Sequence, residues 1–154
     1  MDLEKSIKSL VKRNPLIVAP TDSLGDLAGK MARQKKDIAV VMDKSGEVMG
    51  LVTSHDLFDA LRTYVLGKDT LEQVPNEIRD LKVTSIMKGS YTKEFMEVCG
   101  LTGTQVCVTL SEDEKISNAV RTMSISGLDH ILISGSDGIV GTLSDDDLIQ
   151  AFLE

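Results

Sequence analysis

The sequence predicts a mixed α/β chain, of the α+β kind, built from two pseudo-symmetric copies of one β-α-β-β-α subdomain. Three observations carry this expectation. The stretch Gly141-Thr142-Leu143-Ser144-Asp145-Asp146-Asp147-Leu148 restates Gly50-Leu51-Val52-Thr53-Ser54-His55-Asp56-Leu57 at a distance of 91 residues, too long for a solenoid period and right for two small subdomains. Apolar positions also match at an offset of 92, Leu24 with Ile116, Met31 with Met123 and Val41 with Ile133, so one residue lost in the second hairpin reconciles the two spacings. Finally, 154 residues with 42% hydrophobic content can bury a proper core.

Taken in order, Leu3, Ile7, Leu10 and Val11 recur at helical spacing and predict an N-terminal helix that ends at Asn14-Pro15. Leu16-Ile17-Val18-Ala19, bounded by Pro15 and Pro20, is a short strand, after which Asp22 or Ser23 caps a helix with the stripe Leu24, Leu27, Ala28 and Met31. Ile38 to Met42 and Val48 to Val52 are strands joined by the turn chemistry of Asp43-Lys44-Ser45-Gly46, an antiparallel hairpin. Thr53 then stands as the N-cap of a helix whose apolar face is Leu57, Phe58 and Leu61.

Residues 67–80, polar and carrying Gly67 and Pro75, form a connection between a first repeat of residues 1–66 and a second of residues 81–154. Leu81 to Met87 reads as a short helical run with Val83, Ile86 and Met87, and residues 88–104 as an irregular insertion. The pattern then returns: Val106-Cys107-Val108 as strand; Ile116, Ala119, Val120 and Met123 as helical stripe; Ile131-Leu132-Ile133 as strand. The turn Gly135-Ser136-Asp137-Gly138, the strand Ile139 to Leu143, and a last helix with Leu148, Ile149 and Phe152 complete it.

Composition excludes several classes. A net charge of −7 with dispersed Lys and Arg leaves no basic stripe for nucleic acid. No apolar span reaches membrane length, and Met1-Asp2-Leu3-Glu4-Lys5 lacks the basic start and apolar core of a signal peptide, so a cytoplasmic protein without a membrane partner is expected. Cys99 and Cys107 are too few for a disulfide framework and have no companions at zinc-ligand spacing, so no metal site is expected. Neither His55 nor His130 has a nucleophile at a recognisable spacing and there is no P-loop, which argues against an enzyme.

The duplicated unit, with Gly-h-h-[Thr/Ser]-x-x-Asp (h apolar or nearly so) before each last helix and Val83-Thr84-Ser85-Ile86-Met87 introducing the second copy, resembles a tandem pair of cystathionine-β-synthase (CBS) domains. The resemblance covers the chain apart from roughly residues 67–80 and 88–104. It departs at Ser6-Ile7-Lys8-Ser9-Leu10, where an Ile-Met pair is typical. It implies two subdomains packed sheet to sheet, a homodimer, and a stand-alone regulatory module in energy sensing or signal transduction. Such a module binds AMP, ADP, ATP or S-adenosylmethionine as effector, with no required cofactor, and signals to an unidentified protein target.

The residues make a physical case for such a ligand. Thr53 and Ser144 stand at strand-to-helix junctions, where unpartnered N–H groups and the helix dipole favour an anion or a hydroxyl-rich group. Asp56 and Asp147, at the third helical position, are acceptor-only when ionised and suit two ribose hydroxyls. The same residues also read as plain helix caps, a hydroxyl bonding helix N–H groups and an acid favouring the dipole by ~1 kcal/mol. In that reading the chain is a ligand-independent dimerisation and protein-interaction module. Gly50 and Gly141 likewise have two readings, room for a ligand or a bend in the strand.

By resemblance, the base pocket of the Thr53–Asp56 motif would be completed by Gln105 and Val106 and that of the Ser144–Asp147 motif by Pro15 and Leu16, with Leu51 also lining a base. His130 matches a position that is often basic and faces phosphates; the alternative is a strand-end histidine, and its counterpart in the first half is Ile38. Three consecutive carboxylates at Asp145, Asp146 and Asp147 would repel a polyphosphate unless Mg2+ intervened, whereas Thr53-Ser54-His55-Asp56 offers one acid and a titratable His55. The first motif is therefore expected to accept phosphate-bearing adenosine ligands more readily, with the second left empty, metal-assisted or suited to an adenosyl compound without phosphate.

Overall fold

The computed structural model describes residues 2–67, 76–87 and 109–153. In chain order its strands are β1 Lys12–Arg13, β2 Leu16–Val18, β3 Ile38–Met42, β4 Val48–Thr53, β5 Thr109–Ser111, β6 His130–Gly135 and β7 Gly138–Ser144. Its α-helices are α1 Leu24–Gln34, α2 Ser54–Leu66, α3 Asn76–Arg79, α4 Ile116–Ser126 and α5 Asp145–Ile149. They form two compact units, a first of Leu16–Tyr91 and a second of Met1–Pro15 with Thr92–Glu154.

In the first unit β2 runs parallel to β3, and β4 returns antiparallel to β3. A parallel pair needs a crossover, and α1 supplies it. Ser23, not Asp22, is the cap: its hydroxyl accepts from the Asp26 N–H at 3.1 Å. Asp22 instead accepts from the Ala19 N–H at 3.1 Å and from Lys30 Nζ at 2.9 Å, which ties β2 to α1. Leu24, Leu27 and Met31 of α1 pack with Leu16, Val18, Ala39, Val41 and Val52 of the sheet and with Ile78 and Val83. Alternation along β3 sends Ile38 and Val40 to the other face, where they are also buried. Two stripe expectations fail: Ala28 is exposed, and Phe58 is 56% exposed because α2 meets the core only through Leu57, Ala60 and Tyr64.

The second unit has a four-stranded sheet in the order β1-β7-β6-β5, with β5 parallel to β6 and the rest antiparallel. Ile116, Ala119 and Met123 of α4 pack with Ile7, Leu110, Ile131, Ile133, Leu143 and Ala151. Val120 is largely exposed. α4 stops at Gly127, whose φ of 64° suits a residue without Cβ. Both hairpins carry a register irregularity at equivalent places, Val41/Met42 and Ile133/Ser134.

Three expectations are corrected. The N-terminal helix is a single 3-10 turn, Ile7–Ser9, followed by β1, and Leu3 is exposed. Asn14 at φ 61° and Pro15 break helical geometry there, and the backbone of Lys12–Arg13 pairs with Thr142 and Gly141 instead. The run Leu81 to Met87 is likewise one 3-10 turn, Val83–Ser85, with Val83 in the core of the first unit. These two turns are equivalent: the Ile7 N–H donates to Glu114 O at 2.8 Å and the Val83 N–H to Asp22 O at 2.9 Å. The last helix is short, α5 giving way to a 3-10 turn at Gln150–Leu153. Three residues per turn align Leu148 with Ala151 against the core and leave Ile149 and Phe152 exposed. The expected strand at residues 106–108, the insertion at 88–104 and both cysteines lie outside the described residues.

Candidate functional site

Both repeated motifs fold the same way, at the end of a strand and the start of a helix. In the first, Thr53 Oγ1 accepts from the Asp56 N–H at 3.2 Å, while Asp56 Oδ2 accepts from the Thr53 N–H at 2.9 Å and the Thr53 hydroxyl at 3.1 Å. In the second, Ser144 Oγ accepts from the Asp147 N–H at 3.1 Å and Asp147 Oδ2 accepts from the Ser144 N–H at 2.9 Å. These are complete capping boxes. All four residues are at most 8% exposed, and the reciprocal bonds offset the cost of burying two carboxylates. Each helix start is also tied to the residue just before the neighbouring strand, Ser54 N–H to Asp37 O ahead of β3 at 2.8 Å and Asp145 N–H to Asp129 O ahead of β6 at 3.0 Å.

Around the first motif, Leu51 lies on the same sheet face as Thr53, two residues earlier and buried, paired across the strands with Val40. Ile38 lies opposite Thr53 and is buried. His55 is on the outer side of α2, its Nε2 3.4 Å from Asp59 Oδ2 one turn on, and it is 66% exposed. The structure thus brings Leu51, Thr53 and Asp56 together and leaves His55 facing outward. Leu16 is turned into the helix-side core of its unit, so that Ile17 is the β2 residue on the Thr53 face. Gln105 and Val106 lie outside the described residues.

Around the second motif, His130 is paired across the strands with Ser144, and its Nδ1 is 3.1 Å from Asp129 Oδ1. Pro15 is half-buried at the end of the segment that contains β1. Asp145 and Asp146 are exposed, the Asp146 N–H donating to Asp145 Oδ1 at 2.8 Å. Among the described residues, no three His, Cys, Asp or Glu side chains converge as a metal cage.

One residue escaped the sequence reading. Lys12 of β1 places its Nζ 3.1 Å from Asp147 Oδ1. A two-residue strand has no periodicity, and its partner lies some 130 residues along the chain; the only signal was the paired charge Lys12-Arg13 just before Asn14-Pro15. Gly141 serves the same arrangement, because a Cβ there would fall on the Lys12 carbonyl oxygen and the Val11 side chain. The close approach that a glycine permits at this point is made by β1.

The comparisons agree with this architecture. The CBS domain family profile matches residues 7–63 and 103–154. A possible hemolysin C from Rickettsia bellii is 44% identical over 55 residues, which is 36% of this chain and 18% of that relative. Among solved structures, an uncharacterized conserved protein from Pyrococcus horikoshii has a TM-score of 0.73 at 24% identity, covering 100% of this chain and 96% of that one. The CBS domain pair of protein MJ0100, in complex with 5'-methylthioadenosine and S-adenosyl-L-methionine, has a TM-score of 0.69 at 16% identity over 96% and 95% of the two chains. CBSX2 in complex with AMP has a TM-score of 0.64 at 16% identity over 97% and 96%. No helix among the described residues is long and apolar enough to cross a membrane. Each of the two profile matches spans one strand-to-helix motif, and the chain belongs to the CBS domain family as a tandem CBS pair.

Proposed function

We propose that this CBS pair is a regulatory module whose effectors are adenosine compounds: AMP, ADP, ATP or S-adenosylmethionine. The observation that carries the reading is the pair of helix-start carboxylates, Asp56 and Asp147, each fixed by its cap at the same place in a fold whose neighbours hold adenosine compounds. A carboxylate held this way can accept from a ribose diol without having to order itself first. The role is binding, not catalysis. A ligand that favours one arrangement of the chain shifts its population, and a partner protein reads the shift.

The two motifs differ in charge, and the first is the better phosphate site. Ser54 and His55 stand where the second motif has Asp145 and Asp146, so a phosphate near Ser144 meets two additional negative charges unless Mg2+ screens them. Calorimetry with AMP and ATP tests this: Asp56→Ala is expected to abolish binding and Asp147→Ala to spare most of it. The reverse result would overturn the ranking.

A second reading is favoured by the completeness of the capping boxes, which need no ligand. In it the chain is an interaction module. Thermal shift with millimolar AMP, ADP, ATP and S-adenosylmethionine separates the two, since ligand at 100 times Kd stabilises the native state by ~2.7 kcal/mol. Both readings include a homodimer: the first unit has an apolar groove of about 310 Å³ between α1, α2 and α3, lined by Leu24, Ala28, Leu57, Phe58, Leu61 and Ile78. Ile149 and Phe152 are exposed at the positions equivalent to Phe58 and Leu61. A second copy covering these helix faces would remove them from water.

A further inference from the structure

We infer that Lys12 is a specificity-determining residue of the second motif, whose ammonium occupies the Asp147 oxygen that a ribose hydroxyl would use and so holds that site closed to an uncharged adenosine compound. The inference rests on the reading of Asp147 as a ribose acceptor. Asp147 Oδ2 is committed to the Ser144 N–H at 2.9 Å, which leaves Oδ1 as the oxygen turned away from the cap, and Oδ1 is where Lys12 Nζ lies, at 3.1 Å. A ribose diol that donates to this carboxylate therefore competes with Lys12 directly.

The position of Lys12 is built rather than incidental. β1 docks on β7 with Lys12 opposite Thr142 and Arg13 opposite Gly141, and the missing Cβ of Gly141 is what lets the Lys12 backbone come so close. On either side the segment is anchored by charge, Arg13 Nη2 to Glu112 Oε2 at 2.9 Å and Lys115 Nζ to Glu4 Oε2 at 2.6 Å. The backbone is thus pinned while the Lys12 side chain is 65% exposed. An exposed ammonium on a pinned strand can swing away at modest cost, as partly exposed ion pairs contribute little and weaken with salt. Asp145 and Asp146, at the helix start, add negative charge that keeps the ammonium near the motif. The closure is therefore a graded competition.

The test is made in the full chain carrying Asp56→Ala, which silences the first motif, with adenosine as the calorimetric probe. Lys12→Met keeps the aliphatic stem and removes the charge; it is expected to tighten adenosine binding about fivefold, the equivalent of ~1 kcal/mol. Lys12→Gln serves as a second variant should Met disturb β1, with the same expected direction. In the Lys12 form, adenosine affinity should rise as NaCl is raised from 50 to 500 mM, whereas in Lys12→Met it should stay flat. Unchanged or weaker adenosine binding in both variants, or a salt response equal to that of the Lys12 form, would overturn the inference. Asp147→Asn in the same background separates the two levels of the argument. Its loss of adenosine binding supports the ribose reading even if Lys12 proves irrelevant, and retained binding removes that reading and the inference with it. If adenosine binds only once Lys12 is replaced, the closure is complete; if it binds neither form, Lys12 does not close the site.

Discussion

The two units share one face of their sheets and differ on the other. Toward the helices the equivalent pairs are Val18 and Leu110, Leu24 and Ile116, Met31 and Met123, Ala39 and Ile131, Val41 and Ile133, and Val52 and Leu143, every one of them apolar and buried. On the opposite face the first unit presents Ile17, Ile38, Leu51 and Thr53, and the second presents Thr109, His130, Thr142 and Ser144. A duplicated chain must keep the face that holds each half together, since every large side chain lost there leaves a cavity. The face bearing the two motifs is also largely buried and keeps the apolar pair Val40 and Leu132 and the hydroxyls of Thr53 and Ser144, but at Ile17/Thr109, Ile38/His130 and Leu51/Thr142 the second copy is polar where the first is apolar. The charges at the helix starts diverge in the same sense, with Lys12 set against Asp147 in the second unit.

The helix-side cores match in pattern but not in the size of every side chain. Leu27 and Ala119 occupy matching, fully buried positions but differ in volume. Leu27→Ala should cost about 2–5 kcal/mol, the range for emptying a packed leucine site. Ala119→Leu should cost about 1–3 kcal/mol by overpacking the second core. Urea unfolding followed by far-UV circular dichroism reads both. If Ala119→Leu were neutral, the second unit would be the more loosely packed of the two, and the shared face would be shared in pattern only.

A smaller effect is expected where β1 meets β7. Gly141→Ala puts a methyl group onto the Lys12 carbonyl, so either β1 shifts or β7 bends, at about 1–3 kcal/mol. Amide hydrogen exchange locates the damage. Faster exchange across the Lys12–Arg13 pairing, with β3 and β4 of the first unit unaffected, is the expected pattern. Uniform acceleration in both units would show that β1 supports more than the sheet it joins.

The hairpins, the first-unit helix α1 and both Thr/Ser-x-x-Asp junctions were legible in the sequence because each is specified within a few residues. Ser23 with Asp26, Thr53 with Asp56 and Ser144 with Asp147 are complete local signals, and the duplication stated the last two motifs twice. What failed depended on distant partners. Ile7 and Leu10 repeat at helical spacing, yet the backbone around them bonds to Glu114, and β1 bonds to β7, more than 100 residues away. Lys12 was invisible for the same reason. Phe58, Ile149 and Phe152 show the limit of reading an apolar stripe as core, because an exposed apolar face has the same periodicity as a buried one.

The smallest expected effect concerns acid. In the first unit Asp22 bonds Lys30, and at the equivalent positions of the second stand Glu114, which accepts from Asn118, and Thr122, so one unit has an ion pair where the other has a carboxylate accepting from a neutral amide. The bond from Lys30, helped by the Ala19 N–H against the opposing effect of burial, holds the Asp22 carboxyl below the usual carboxylate range. A carboxyl whose folded pKa is depressed binds fewer protons folded than unfolded. Its contribution is therefore fully present above the unfolded value of about 3.9 and is lost as pH falls through the folded value. Lys30→Met should then lower stability at pH 7 by less than about 1 kcal/mol, because both side chains are partly solvated. The same substitution should change stability progressively less as pH falls through the folded value, where Asp22 takes up its proton. A loss that does not shrink with falling pH would mean that Lys30 acts through its aliphatic stem, and the two units would then answer acid alike at this position.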